Sequence, residues 1–177
     1  RIDEMEKRFE PIATYSMVQY LRQRSQAYRY VEAPPGITPV VTDQERQAQV
    51  ARGKIALEER GCLACHDHAD FPEVAKYRDA GYVVTGPDLS DLAAKFSPQR
   101  NPNGLKWLYS WISQPTLYSA RTTMPDLMLT PVQHRDAEGN VTVVTDAVAD
   151  IVAYLMSRPA GDWQPSSEVV SQLDDAQ

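Results

Sequence analysis

The chain has 177 residues, 42% of them hydrophobic and 24% charged. That length fits one domain with decoration or two small domains, and the composition excludes a fibrous or wholly disordered chain. The formal net charge of −6 argues against nucleic-acid partners, which select a basic face, and no apolar run approaches the ~18 residues that a membrane-spanning helix needs.

The first predicted element covers residues 14–31. Met17, Tyr20, Leu21, Tyr28 and Val31 recur there at roughly helical spacing. Thr14 or Ser16 is a possible cap, and Arg22, Arg24 and Arg29 would face water. An isolated helix of this length is marginal, so the stripe is expected to pack on the main domain or on another protein. Pro34, Pro35, Gly36 and Pro39 follow as a breaker-rich linker. A second helix starts at Thr42 and Asp43, where Thr42 and Glu45 have capping-box spacing, and it stops at Gly61.

Residues 67–85 read as loop, with a short helix near Glu73–Arg78. Gly86-Pro87-Asp88-Leu89 is a turn, and Leu89, Leu92, Ala93 and Phe96 suggest a short helix. Leu105, Leu108, Trp111 and Ile112 predict a helix over 104–113, stopped before Pro115. Residues 114–131, with three prolines, read as loop. Residues 132–144 read as a β-hairpin turning at Gly139. Asp146 then caps a last helix whose core face is Val148, Ile151, Val152, Tyr154 and Leu155. Residues 159–177 hold four carboxylates and no Lys or Arg, which reads as an acidic, loosely attached tail. The chain opens at Arg1 without a Met or a signal-peptide pattern. A processed mature chain and a piece of a longer polypeptide both account for that.

Directly after Gly61 comes Cys62-Leu63-Ala64-Cys65-His66. Cys-x-x-Cys-His is the attachment signature of c-type haem. Two thiols one helical turn apart can add across the two vinyl groups, and the adjacent imidazole can reach the iron. A zinc site would need a fourth ligand, and there is no second cysteine pair. A thioredoxin-like pair would follow a strand rather than a helix. A Cys62–Cys65 disulfide would leave His66 without a role.

From about Gln44 to Arg158 the chain resembles a class I cytochrome c domain. The resemblance rests on the helix ending at Gly61, the Cys62–His66 motif, Gly86-Pro87-x-Leu89, Met124-Pro125 and a last helix bearing Tyr154. It implies an all-α fold of helices around one haem, with the hairpin inserted before the last helix and an N-terminal helical extension. The organisation expected is an extension at 1–43, the cytochrome domain at 44–158 and the tail at 159–177. The first and last helices of the domain would cross at Gly53, close to Tyr154.

The family's second axial ligand is a loop Met followed by Pro. The resemblance therefore assigns the iron to His66 and Met124, with Met128 as the alternative. It also implies that Pro87 backs the His66 ring with its carbonyl. Trp107, Tyr109, Trp111 and Arg121 are candidate donors to the haem propionates, Arg121 first. Met128 is expected to pack on the haem or core, Met156 in the core, and His68 and His134 at the surface.

The implied function is one-electron transfer rather than catalysis, through a single haem c held by Cys62 and Cys65. His/Met ligation raises the reduction potential and leaves the iron no open position. The alternatives are a catalytic or ligand-sensing haem domain with a displaceable sixth ligand, and an internal relay domain of a larger enzyme. Implied partners are redox proteins or the subunits of a membrane electron-transfer complex, since the added segments suit a docked cytochrome. Haem c is attached after export, which implies a periplasmic or other extracytoplasmic setting. The net negative charge would steer the protein to a basic partner face.

Overall fold

In the computed structural model, which describes residues 2–25, 27–32, 42–77, 86–97, 101–139 and 141–158, helix α1 runs Ile2–Arg24 rather than 14–31. Residues 2–10 are rich in Glu, Lys, Arg and Met, all good helix formers. They carry the helix through Pro11, which lies inside it at a typical interior cost of about 3 kcal/mol. Ser25 ends it: its N–H bonds the Leu21 carbonyl at 2.7 Å and its hydroxyl donates to the Arg22 carbonyl at 3.1 Å. Tyr28 and Val31 therefore fall outside the helix. The chain divides into two units, residues 1–29 with 162–177 and residues 30–161. In the first, Met17, Tyr20 and Leu21 of α1 are more than half exposed. The Pro-rich linker at 33–41 and the acidic tail at 159–177 lie outside the described residues.

Near the start of the second unit the Val31 N–H donates to the buried Ser110 hydroxyl at 2.9 Å. Helix α2 (Asp43–Glu59) carries the complete capping box. Thr42 Oγ1 accepts from the Glu45 N–H, and Glu45 Oε2 accepts from the Thr42 N–H, each at 3.2 Å. Gly61, at φ +77°, turns the chain out of α2. A one-turn 3₁₀ segment, Cys62–Ala64, follows directly. A second 3₁₀ segment spans Pro72–Tyr77, and residues 78–85 of the predicted loop lie outside the described residues.

Helices α3 (Leu92–Lys95) and α4 (Gly104–Ser113) come next. The predicted loop at 114–131 instead begins with a further helical turn, α5 (Pro115–Tyr118). Proline blocks the continuation of α4 but, with its fixed φ, suits the first turn of a new helix. Strands β1 (Val132–Arg135) and β2 (Val141–Thr145) pair antiparallel, with a register irregularity between Val132 and Gln133. Gly139 supplies a φ of +88° in the connection. Helix α6 (Ala147–Leu155) is capped by Asp146, whose Oδ1 accepts from the N–H groups of Val148 and Ala149.

Helices α2 and α6 form the main packing of this unit. At their crossing Gly53 is buried. A Cβ there would fall 2.5 Å from the Asp150 carbonyl carbon and 2.8 Å from Tyr154 Cβ. One residue away, Arg52 grips Asp150 through two nitrogens at 2.9 and 3.0 Å. Leu57, Leu63, Leu108, Ile112, Val148, Ile151 and Leu155 make up the centre of the core. The molecule is mostly helical, and among the described residues no helix is long and apolar enough to cross a membrane.

Candidate functional site

The 3₁₀ turn sets the geometry of the motif. The N–H groups of Cys65 and His66 both bond the Cys62 carbonyl, at 3.2 and 3.0 Å. Cys62 and Cys65 are half-buried and not joined to each other. Burial pushes the Cys62 thiol above its usual pKa. A reactive dithiol works the other way, through a lowered pKa.

Residues 86–90 are stitched along this turn by backbone bonds. The Gly86 N–H donates to the Cys65 carbonyl at 2.8 Å, and the Leu89 N–H donates to the Asp67 carbonyl at 2.9 Å. Between them the Pro87 carbonyl lies 2.7 Å from His66 Nδ1. A carbonyl only accepts, so Nδ1 carries the proton and the neutral ring keeps its lone pair on Nε2, the atom suited to bind a metal. Gly86 makes this close approach possible: a Cβ there would sit 2.5 Å from Nδ1. In the sequence Gly86 belongs to a turn and to the Gly86-Pro87-x-Leu89 pattern. Only its contact with the His66 ring reveals the second reason for a glycine.

Cys62, Cys65, His66, Pro87 and Met124 all line one cavity of about 300 Å³, at the small end of the range of cofactor pockets. Its other walls are mainly apolar or aromatic, among them Leu57, Leu92, Phe96, Trp107, Leu108, Trp111 and Ile151. Met124 reaches the cavity from the loop after α5, its N–H held by Thr122 Oγ1 at 3.1 Å. Met128, expected against the haem or core, is instead 81% exposed at φ +50°. Asp126 Oδ1 accepts its N–H and tightens that turn. Met156 packs against the core cluster.

Of the candidate propionate donors, Trp107 and Trp111 line the cavity and stack at 5.5 Å with a 7° interplanar angle. The buried Tyr109 hydroxyl is instead committed to Asp146 at 3.0 Å. Burial, with that carboxylate, holds its phenol well above the usual pKa. Arg121 is exposed and does not line the cavity. Among the described residues the one Lys or Arg in the lining is Lys95, and no carboxylate lines it. Lys95 was not singled out in the sequence, because a cation one turn into a short helix carries no local signal.

His68 corrects the expectation of a surface histidine: it is 4% exposed. It lies between Phe71 and Tyr154, with ring centroids 5.7 and 5.2 Å away. Its Nδ1 accepts the Asp70 N–H at 3.1 Å, and burial lowers its basicity. Nothing in its sequence neighbourhood showed that α6 would cover it. Tyr154 donates from its hydroxyl to Asp70 Oδ2 at 2.7 Å, and Arg158 also pairs with Asp70. These contacts tie the end of α6 to the segment after the motif. His134 lies on β1 opposite Thr142.

The donor set of this cavity fits a c-type haem. It offers two thiols one turn apart, an imidazole with a fixed tautomer, a thioether, an apolar lining and one cation for acidic substituents. Among the described residues no group of three or more His, Cys, Asp or Glu side chains is gathered to hold a bare metal ion. Comparisons with protein-family models, with curated proteins and with solved structures found no match.

Proposed function

We propose that this chain is a mono-haem c-type cytochrome of the class I type that carries single electrons between redox partners outside the cytoplasm. The observation that carries this reading is the meeting of Cys62, Cys65, His66 and Met124 in one apolar cavity, with His66 Nδ1 bonded to the Pro87 carbonyl. Bound there, a haem c supplies a one-electron iron couple.

The residues of the chain do the rest. Cys62 and Cys65 would hold the porphyrin through thioether links. His66 would hold the iron through Nε2, and the Pro87 carbonyl, bonded to Nδ1, would keep the ring oriented and basic. Met124 would give a soft, neutral second ligand, which raises the potential. Leu57, Leu92, Leu108 and Ile151 give the cavity an apolar wall that would exclude water from a bound haem. Partners are redox proteins or subunits of a membrane electron-transfer complex.

Absorption spectra of the oxidised and reduced protein test this directly, with and without carbon monoxide and with Met124→Ala. The expected protein is low-spin, shows a sulfur–iron charge-transfer band when oxidised and ignores carbon monoxide. The substitution should remove that band and open the iron to carbon monoxide. A wild type that binds carbon monoxide readily would refute the carrier reading in favour of a sensing or catalytic domain. Absence of covalent haem would refute both.

A further inference from the structure

Helix α1 runs through Pro11, and its composition changes there. Residues 1–10 carry Asp3, Glu4, Glu6 and Glu10 beside Arg1, Lys7 and Arg8. Residues 11–31 carry no Asp, Glu or Lys but three arginines, Arg22, Arg24 and Arg29, a local charge of +3 in a chain of net −6. Arg22 and Arg24 stand in the last turn of the helix.

This acid-free half of α1 also presents large apolar side chains to water. Met17, Tyr20 and Leu21 are 58%, 60% and 63% exposed. With Arg24 they stand at i, i+3, i+4 and i+7, which places them on one face of the helix. The half-buried residues Pro11, Thr14 and Val18 lie on a different face, about 100° round the helix at roughly 3.6 residues per turn. One side of α1 is thus used in packing and the apolar stripe is left over. The Arg24 guanidinium lies 5.7 Å from the centre of the Tyr20 ring, at the basic end of that stripe. Exposed apolar side chains grouped beside polar ones mark an interaction surface.

We propose that this stripe docks on a membrane surface that carries anionic phospholipid, with α1 lying in the plane of the interface. The lipid phosphates complement Arg22 and Arg24, whose aliphatic stems follow the apolar face while the guanidinium groups stay among the headgroups. Met17 and Leu21 enter the acyl boundary, and Tyr20, an apolar ring with a polar tip, suits the headgroup level. The helix is not long and apolar enough to cross a membrane, so the contact is shallow. An anionic surface repels carboxylates, and all four carboxylates of α1 precede Pro11. A second copy of the chain fits this face less well. A parallel pair joined along the stripe would set Arg24 against Arg24. A fully overlapped antiparallel pair would lay Met17, Tyr20 and Leu21 on the half that carries Asp3, Glu4, Glu6 and Glu10. Such docking goes beyond the electron-carrier reading and does not depend on haem.

Flotation of the full chain with vesicles tests this, using phosphatidylcholine alone and phosphatidylcholine mixed with phosphatidylglycerol. The chain should float with the mixed vesicles at low salt, less so as salt rises, and stay behind with phosphatidylcholine alone. Arg22→Gln/Arg24→Gln should weaken binding about 30-fold, and Met17→Ser/Leu21→Ser at least about tenfold. Arg46→Gln/Lys54→Gln removes the same charge from α2 and should leave binding within about twofold. All six of these side chains are exposed, so each variant keeps its packed core. No flotation with the mixed vesicles, equal flotation with both lipids, or flotation indifferent to the α1 variants overturns the proposal. A dimer seen by sedimentation and lost in Met17→Ser/Leu21→Ser, without flotation, overturns it in favour of a second copy. Haem plays no part in these readouts. A haem-loaded chain that stays off the vesicles keeps the carrier reading and loses the docking, and a chain without haem that binds them does the reverse.

Discussion

Replacing Gly53 with Ala sets two effects of opposite sign against each other. Helix propensity alone favours Ala over Gly by about 1 kcal/mol. The structure predicts the opposite outcome. The new Cβ would fall 2.5 Å from the Asp150 carbonyl carbon and 2.8 Å from Tyr154 Cβ, where carbons ordinarily meet at about 3.5–4.0 Å. Helices α2 and α6 would have to part by roughly 1 Å, because the obstructing atoms are backbone and Cβ and cannot swing aside. Overpacking of this kind costs typically 1–3 kcal/mol, and immovable neighbours place it at the upper end, about 3 kcal/mol. The net is a loss of about 2 kcal/mol. For a chain of this length that lowers Tm by about 4–8 °C. Thermal and urea unfolding of the two proteins measure it. An alanine variant as stable as the parent, or more stable by the propensity gain, would show that the helices do not meet at this glycine.

Gly86→Ala pushes a Cβ against His66 Nδ1 and should weaken the bond to the Pro87 carbonyl. The downfield Nδ1–H resonance reads this directly, and an unshifted signal would count against the close approach. Asp70 is held below the usual carboxylate range, first by the Tyr154 hydroxyl; burial opposes this, and Arg158 adds to the lowering. Its folded-state pKa is therefore lower than its unfolded value of about 3.9. The stabilisation it brings is complete above that value and is lost as pH falls through the depressed one. Urea midpoints at about pH 6 and about pH 2 should accordingly converge between the wild type and Asp70→Asn at the lower pH. A difference that stays constant across this range would refute the assignment.

Much of the local structure was legible before any tertiary contact was known. Thr42 and Glu45 announced the start of α2 and Asp146 that of α6, since a cap is a contract among residues two or three apart. The spacing of Leu105, Leu108 and Ile112 marked α4 to the residue. Cys62, Cys65 and His66 are consecutive along one turn, so their chemistry can be read directly from the chain. Elsewhere local signals competed. Helix α1 continues through Pro11 because good helix formers surround it, and Pro115 starts a new turn where its neighbours suggested loop.

The cavity itself could not be read that way. Met124 stands 62 residues beyond Cys62; Pro125 marks it in the sequence, but packing is what places it in the cavity and leaves Met128 exposed. Gly86 is a plain turn glycine until the His66 ring is placed against it, and His68 looks like a surface residue until α6 covers it with Tyr154. Capping, turns and motif chemistry act over a few neighbouring residues and survive in one dimension. Burial, cavity walls and the location of charge are set by segments distant along the chain, so the tertiary fold decides them.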